Sequence, residues 1–227
     1  MKQIDIRGVI VPNSEHWIYE WFGIDATCPK MVSDVLGTAN GEDVTVVINS
    51  GGGDVTSGQE IYTLLREYPG NVLIQIHSMA ASAAAVISMA RESEMSPVAQ
   101  LMIHNVSTRS EGDYRDMEHA AEVLRNSNQA LANAFTAKTG KTMEEILTMM
   151  DRETWMTAQQ AVEHGFVDRI MEPKAGSEQK PLQLAASLGG LLPKKAIEYA
   201  KAHFCDNSAL KKARAEYEYM ILEGNAK

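Results

Sequence analysis

The chain has 227 residues, of which 44% are hydrophobic and 22% are charged, so it is long enough for one large globular domain or for a domain with an appendage. Its net charge of −9 argues against nucleic acid or an anionic membrane surface as the main partner. The charge is uneven, because residues 1–171 contain 12 basic and 23 acidic side chains whereas residues 172–227 contain 9 and 7, which predicts a separate tail.

The two cysteines, Cys28 and Cys205, lie far apart without a C-x-x-C spacing, which predicts neither a zinc site nor a disulfide framework. No histidine cluster has metal-ligand spacing and no nucleotide-binding glycine motif is present, so we expect no metal and no cofactor. The first residues lack the pattern of a signal peptide, and no run of about 18 apolar residues could span a membrane. We therefore expect a cytoplasmic protein with reduced thiols.

In chain order, the pattern predicts a strand at 4–11, a strand at 44–49 that runs into a triple glycine, and a helix at 56–68. A strand at 72–76, a buried alanine-rich helix at 80–90 and a short strand at 101–104 follow. After a polar loop at 108–113 come a long helix at 114–136, a helix opened by a capping box at Thr142 and Glu145, a helix at 157–164 and a strand at 166–171. This alternation predicts a mainly parallel sheet with right-handed crossovers.

The remaining sequence predicts a division into three parts. Residues 1–171 form the main domain, residues 172–192 are rich in Gly, Ser, Pro and Lys and read as a linker, and residues 193–227 form a helical tail. The tail has a one-sided apolar stripe made of Leu210, Ala213, Tyr217, Met220 and Ile221. Such a stripe docks either on its own domain or on a separate partner, and both interpretations stay open.

Ser82 is the first candidate for chemistry, at the opening of a helix of small residues that follows an apolar strand. Small neighbours let a substrate backbone approach, and the N–H groups at a helix start suit a developing oxyanion. The G-x-S-x-G pattern of α/β-hydrolases is absent, and a serine in an alanine-rich helix can also serve packing alone.

His104 ends the apolar strand and is either a general base or a satisfied core histidine. The triple glycine at 51–53 either exposes backbone N–H groups or simply makes a tight strand-to-helix turn. Asp151 and Glu153 lie between a helix and a tryptophan, where either carboxylate could orient a histidine or end a solvated helix.

Taken together, these segments resemble the Clp protease family at four places, in the order and approximate spacing of that family. The four segments are Ile48-Asn-Ser-Gly-Gly-Gly53, Met79-Ala-Ala-Ser82, Leu101-Met-Ile-His104 and the stretch from Trp155 to Asp168. The resemblance spans roughly residues 4–171, and Gly51 stands where the family has proline. It implies an α/β fold of the ClpP/crotonase-like type, built from repeated β-β-α units. In that fold a mainly parallel sheet is flanked by helices, with a protruding long helix and, here, a helical C-terminal tail.

The resemblance also implies roles residue by residue. Ser82 is the nucleophile, His104 is its base, and the backbone N–H groups of Gly52 and Ala83 hold the oxyanion. Counting back from the Ala-Val-Glu-His-Gly segment assigns the acid to Glu153, with Asp151 as the fallback. The implied partners are protein or peptide substrates and copies of the same chain in a homo-oligomeric ring, as a heptamer or as stacked rings.

Within the family, the sequence is most similar to Clp-like proteases from the head modules of tailed phages and prophages, which implies processing of capsid or scaffold proteins in the host cytoplasm or the procapsid. Housekeeping members of the family carry an N-terminal axial loop ahead of the first strand, whereas only three residues precede the first predicted strand here, so the resemblance implies no feeding by an ATP-driven unfoldase. Three alternatives stay open: a housekeeping-type subunit that works with such an unfoldase, a crotonase-like acyl-CoA enzyme, and a non-catalytic shell or scaffold subunit.

Overall fold

The structure, a computed structural model, describes residues 2–172, and their core is one eight-stranded sheet. The strands are β1 (Lys2–Ile10), β2 (Ala26–Thr27), β3 (Val44–Gly53), β4 (Val72–Ala81), β5 (Glu92–Met95), β6 (Gln100–Ile103), β7 (Thr154–Thr157) and β8 (Arg169–Ile170). Along the order β2-β1-β3-β4-β5-β8 all neighbours are parallel. β6 branches off as a further parallel neighbour of β4 and pairs antiparallel with β7.

Helices connect the strands of this sheet. Those within residues 2–172 are α1 (His16–Trp21), α2 (Pro29–Ala39), α3 (Val55–Glu67), α4 (Ala83–Ser88), α5 (Tyr114–Thr139), α6 (Met143–Asp151) and α7 (Ala158–Glu163). The predicted mainly parallel sheet flanked by helices is therefore confirmed.

Side-chain caps fix where several of these helices begin. Asp54 accepts a hydrogen bond from the backbone N–H of Ser57 and so starts α3 directly after the triple glycine. Burial raises the pKa of Asp54, but hydrogen bonds from Ser57 and Thr56 outweigh it and leave the pKa below its usual value. The predicted capping box at Thr142 and Glu145 is present at the start of α6.

The helix α5 has two distinct halves. Leu131, Ala132, Ala134 and Phe135 in its second half are buried, and the Phe135 ring meets Phe166 edge to face at a centroid distance of 5.9 Å. No residue of its first half, 114–130, is buried. The C-terminal half therefore anchors the helix on the core, while the N-terminal half leaves apolar side chains such as Tyr114 and Val123 exposed.

A polar network ties the end of α5 to the last strand. The carboxylate of Asp168 accepts hydrogen bonds from Lys138 and from the backbone N–H and hydroxyl of Ser93. Burial raises the pKa of Asp168, yet these hydrogen bonds and the nearby ammonium outweigh it and lower the pKa from its usual value. The network joins α5, β5 and the segment that leads into β8.

Two expectations about the elements need correction. The strand predicted at 72–76 continues to Ala81 as β4, and the helix predicted at 80–90 begins only at Ala83 as α4, because backbone pairing with β6 extends the strand. The sequence reading also missed α1, α2 and the short strands β2, β5 and β7, whose patterns are brief or mixed.

Some expectations fall on residues that the structure does not describe. The linker beyond Glu172, the helical tail at 193–227 with its apolar stripe, and Cys205 lie outside the described residues. Cys28 is described, and it is a buried free thiol. Within residues 2–172, no helix combines the length and the apolar character that crossing a membrane requires.

Candidate active site

The backbone of Ser82 has an unusual conformation at the junction of β4 and α4. Ser82 is the N-cap of α4 with φ 57° and ψ −124°, a region that non-glycine residues seldom occupy. Its N–H donates to the carbonyl of Met102 in β6 at 3.0 Å, and its own carbonyl accepts from Ala85 at 3.0 Å. Such strain costs on the order of 1–3 kcal/mol and persists where the surrounding structure holds it, typically at functional sites.

The side chain of Ser82 contacts the predicted base. The hydroxyl Oγ of Ser82 lies 2.8 Å from Nε2 of His104, which is within the range of a nucleophile–base hydrogen bond. The parallel register between β4 and β6 causes this contact, because Ala81 pairs with Met102 and each candidate follows its strand. Two residues that are 22 positions apart in sequence therefore meet at one end of the sheet.

Two asparagines hold the segment that follows His104. The side-chain amide of Asn105 donates to Asp151 at 2.7 Å, and the side-chain oxygen of Asn128 on α5 accepts from the backbone N–H of Val106 at 2.8 Å. The sequence reading missed both contacts. The position of Asn105 directly after a candidate base could have indicated the first contact. Nothing in the local sequence pattern indicates that Asn128 bonds to this segment.

The glycine-rich end of β3 packs directly against the nucleophile. A Cβ at Gly52 would lie 2.7 Å from both the carbonyl oxygen of Ala81 and the Cβ of Ser82, and Gly52 has φ 93°, so no larger residue fits without displacement. Its N–H donates to the hydroxyl of Ser50 at 3.1 Å, and that hydroxyl donates to the carbonyl of Gly8 at 2.6 Å. The N–H of Ala83 is one of the first in α4, and such groups have no acceptor within their helix.

A small pocket opens beside the Ser82–His104 pair. Its volume is about 70 Å³, and its walls combine polar groups with apolar side chains such as Val55, Val86 and Leu131. Pockets for small-molecule ligands typically measure about 300–1,000 Å³. The pocket beside the pair is therefore smaller than a typical small-molecule site. The described part of the chain also has no group of three or more side chains placed to hold a metal ion.

The two candidate acids, Asp151 and Glu153, have different hydrogen-bond partners. The Glu153 carboxylate accepts a hydrogen bond from the indole N–H of Trp155 at 3.1 Å, and the Asp151 carboxylate accepts from Asn105. Within residues 2–172, the ring of His104 forms a hydrogen bond with Ser82 only. Neither the Asp151 carboxylate nor the Glu153 carboxylate bonds to this ring.

The pairing of β6 with β7 ends next to both His104 and Glu153. Met102 faces Trp155 and Ile103 faces Thr154, which is the last pair; His104 directly follows Ile103, and Glu153 directly precedes Thr154. Within residues 2–172, the non-glycine residues with positive φ are Asn40, Ser82 and Glu153. Asn40 is the C-cap of α2, a position at which asparagine tolerates positive φ. The two remaining residues are Ser82, the predicted nucleophile, and Glu153, the predicted acid.

Comparisons with known proteins show the family to which the chain is similar. Residues 27–174 match the family described as Clp protease. The ATP-dependent Clp protease proteolytic subunit 2 of Tropheryma whipplei is 31% identical over 132 residues, which is 57% of this chain and 73% of that protein. The proteolytic subunit 1 of Streptomyces avermitilis is 35% identical over 133 residues, covering 57% of this chain and 61% of that protein.

A solved structure shares the fold. A mutant of ClpP1 from Listeria monocytogenes superposes with a TM-score of 0.62 at 23% identity, over 76% of this chain and 92% of that one. The predicted ClpP-like fold is thereby confirmed. With the family match covering well over half of its length, the chain belongs to the Clp protease family.

Proposed function

We propose that this chain is a serine endopeptidase in which Ser82 attacks the peptide carbonyl and His104 is the general base. The observation that carries the proposal is the 2.8 Å contact between Oγ of Ser82 and Nε2 of His104, at a serine whose strained backbone points its hydroxyl into a pocket. His104 takes the hydroxyl proton during attack and returns it to the leaving amine.

The N–H groups of Ala83 and Gly52 are the proposed donors to the oxyanion. The N–H of Ala83 opens α4 beside the nucleophile, and Gly52 lies against Ser82. The N–H of Gly52 must exchange its bond with Ser50 for the oxyanion as the substrate enters. A donor of this kind contributes about 3 kcal/mol to stabilisation of the transition state.

Glu153 is the proposed third member of the triad, with Asp151 as the alternative. The end of the β6–β7 pairing beside both His104 and Glu153, together with the positive φ of Glu153, supports the assignment. The bond between Asp151 and Asn105 supports a different task for Asp151, which is to hold the segment that follows the base. In the triad, a carboxylate fixes the imidazole orientation and stabilises the cation that forms during attack.

Ser82→Ala should abolish hydrolysis of a fluorogenic peptide, with a loss of at least about 10⁴-fold, because it removes the nucleophile and little volume. His104→Ala should cost a similar factor, since triad members act as a unit. Circular dichroism checks that both variants fold, and a fluorophosphonate probe should label the wild type but not Ser82→Ala. A well-folded Ser82→Ala protein with near wild-type activity would rule out the assignment.

Replacing each acid separately tests the assignment of the third residue. Glu153→Gln keeps the size of the side chain and removes its charge, so kcat should fall by about a hundredfold or more, whereas Asp151→Asn should change it by less than about fivefold. The two variants serve as matched controls for each other. The opposite ranking would transfer the orienting role to Asp151.

The resemblance implies that copies of the chain form a homo-oligomeric ring. In support, the first half of α5 has no buried residue and presents Tyr114, Met117 and Val123 to the exterior, which suits packing against a neighbouring copy.

Light scattering coupled to size exclusion should therefore find an assembly of several copies at micromolar concentration. Substituting Tyr114 and Val123 by serine together should shift the distribution toward smaller species. A wild-type monomer with full peptidase activity would contradict the ring, whereas an inactive monomer would indicate that assembly activates the site.

For the biological role, we propose processing of capsid or scaffold precursors. The support is the similarity of four segments to Clp-like proteases of phage head modules: Asp54-Val55, Ala80-Ala-Ser-Ala-Ala84, Ile103-His-Asn105 and Glu153-Thr-Trp155. The second candidate is a proteolytic subunit that works with an ATP-dependent unfoldase, and the similarity to ATP-dependent Clp protease proteolytic subunits favours it. Portal and capsid genes beside the gene for this chain would favour the first role.

A chain that ends at Met171 tests whether residues 172–227 direct the enzyme to its substrate. Residues up to Glu172 form a compact unit of their own, so the shortened chain should remain folded and cleave small peptides at close to the full rate. It should lose co-sedimentation with capsid or scaffold protein, and the full chain carrying Ser82→Ala is the binding control. Precipitation or loss of peptidase activity would show instead that the tail is part of the fold.

A further inference from the structure

We propose that Trp155 is a positioning residue, whose indole N–H holds the Glu153 carboxylate in place for His104. The inference rests on the proposed function, because it concerns how the acid of that triad is oriented. Its starting observation is the hydrogen bond from Nε1 of Trp155 to Oε1 of Glu153 at 3.1 Å.

The strand pair of β6 and β7 puts Trp155 in the correct place for this task. Trp155 pairs with Met102, and the carbonyl of Met102 accepts the backbone N–H of the nucleophile Ser82. Met102 therefore connects the backbone of Ser82 to the backbone of Trp155. Glu153 directly precedes β7, and Trp155 is the second residue of that strand.

Hydrogen bonds fix the backbone of Glu153, but they do not by themselves fix the position of its carboxylate. Its N–H donates to the carbonyl of Met150 at 3.1 Å, and the hydroxyl of the next residue, Thr154, donates to the carbonyl of Met149 at 2.6 Å. These bonds pin the turn between α6 and β7. A glutamate nonetheless has one more rotatable bond than an aspartate, so its carboxylate needs a further contact to occupy one position.

The indole supplies this contact without consuming the carboxylate. One oxygen, Oε1, accepts from Trp155, and a carboxylate has a second oxygen that remains able to accept from the ring N–H of His104. Packing in the core does not explain why a tryptophan occupies this position, since Trp155 is 46% exposed. A phenylalanine there would retain the ring and lose the donor, which makes the role of the N–H separable from packing.

The test is a double-mutant cycle of Trp155→Phe with Glu153→Ala, read as hydrolysis of a fluorogenic peptide and as the rate of fluorophosphonate labelling of Ser82. In the wild-type background, Trp155→Phe should lower kcat by about fivefold and leave KM within about twofold. In the Glu153→Ala background, the same change should have no further effect, because the group it positions is gone. Trp17→Phe, at another exposed tryptophan, is the matched control and should leave kcat unchanged.

Each other outcome counts against the inference in a distinct way. Equal losses from Trp155→Phe in both backgrounds would mean that the indole acts on the fold, and thermal melting would then show the same change. An unchanged or raised kcat for Trp155→Phe in an otherwise active enzyme would overturn the positioning role alone. A wild type without hydrolysis and without labelling of Ser82 would overturn the proposed function itself.

Discussion

The parallel pairing of β4 with β6 is the constraint on which the site depends. This pair aligns Ala81 with Met102 and gives the N–H of Ser82 an acceptor in the Met102 carbonyl, so the chain turns at Ser82 while still tied to the sheet. The turn places Ser82 at the start of α4, and the neighbouring strand ends immediately before His104. The 2.8 Å contact between the two side chains is then a consequence of strand register.

Backbone strain is concentrated where the proposed chemistry is. Positive φ at Ser82 and at Glu153 costs free energy that the surrounding pairing must offset, and each residue is held on both sides by hydrogen bonds or by a capped helix. The nearby Gly52 contributes in the opposite way, because it lacks the side chain that would collide with Ser82. The proposed site thus combines two residues with strained backbones, Ser82 and Glu153, and one glycine, Gly52, whose lack of a side chain leaves room for Ser82.

Much of this arrangement could be predicted from the sequence, and the rest could not, for physical reasons. Ser82 was expected at the opening of a helix, and the placement of His104 at the end of a short apolar strand was accessible from the sequence. The extension of β4 to Ala81 was not, because alanine-rich stretches favour helix locally and only pairing with β6 overrides that preference. The partners of Asp151 and Val106 depend on side-chain contacts between distant segments, which periodicity does not encode.

The segment after His104 also connects the site to the exposed helix. Asn128 on α5 accepts the N–H of Val106, and Asp151 at the end of α6 accepts the amide of Asn105, so the residues that follow the base are attached to two helices rather than to the sheet. The buried end of α5 is fixed on the core by Phe135, while its first half has no contact that buries it. Any neighbour that packs on this first half therefore acts on a helix that is bonded to the residue two positions beyond His104. The Asn128–Val106 bond thus links α5 to the segment that follows the base.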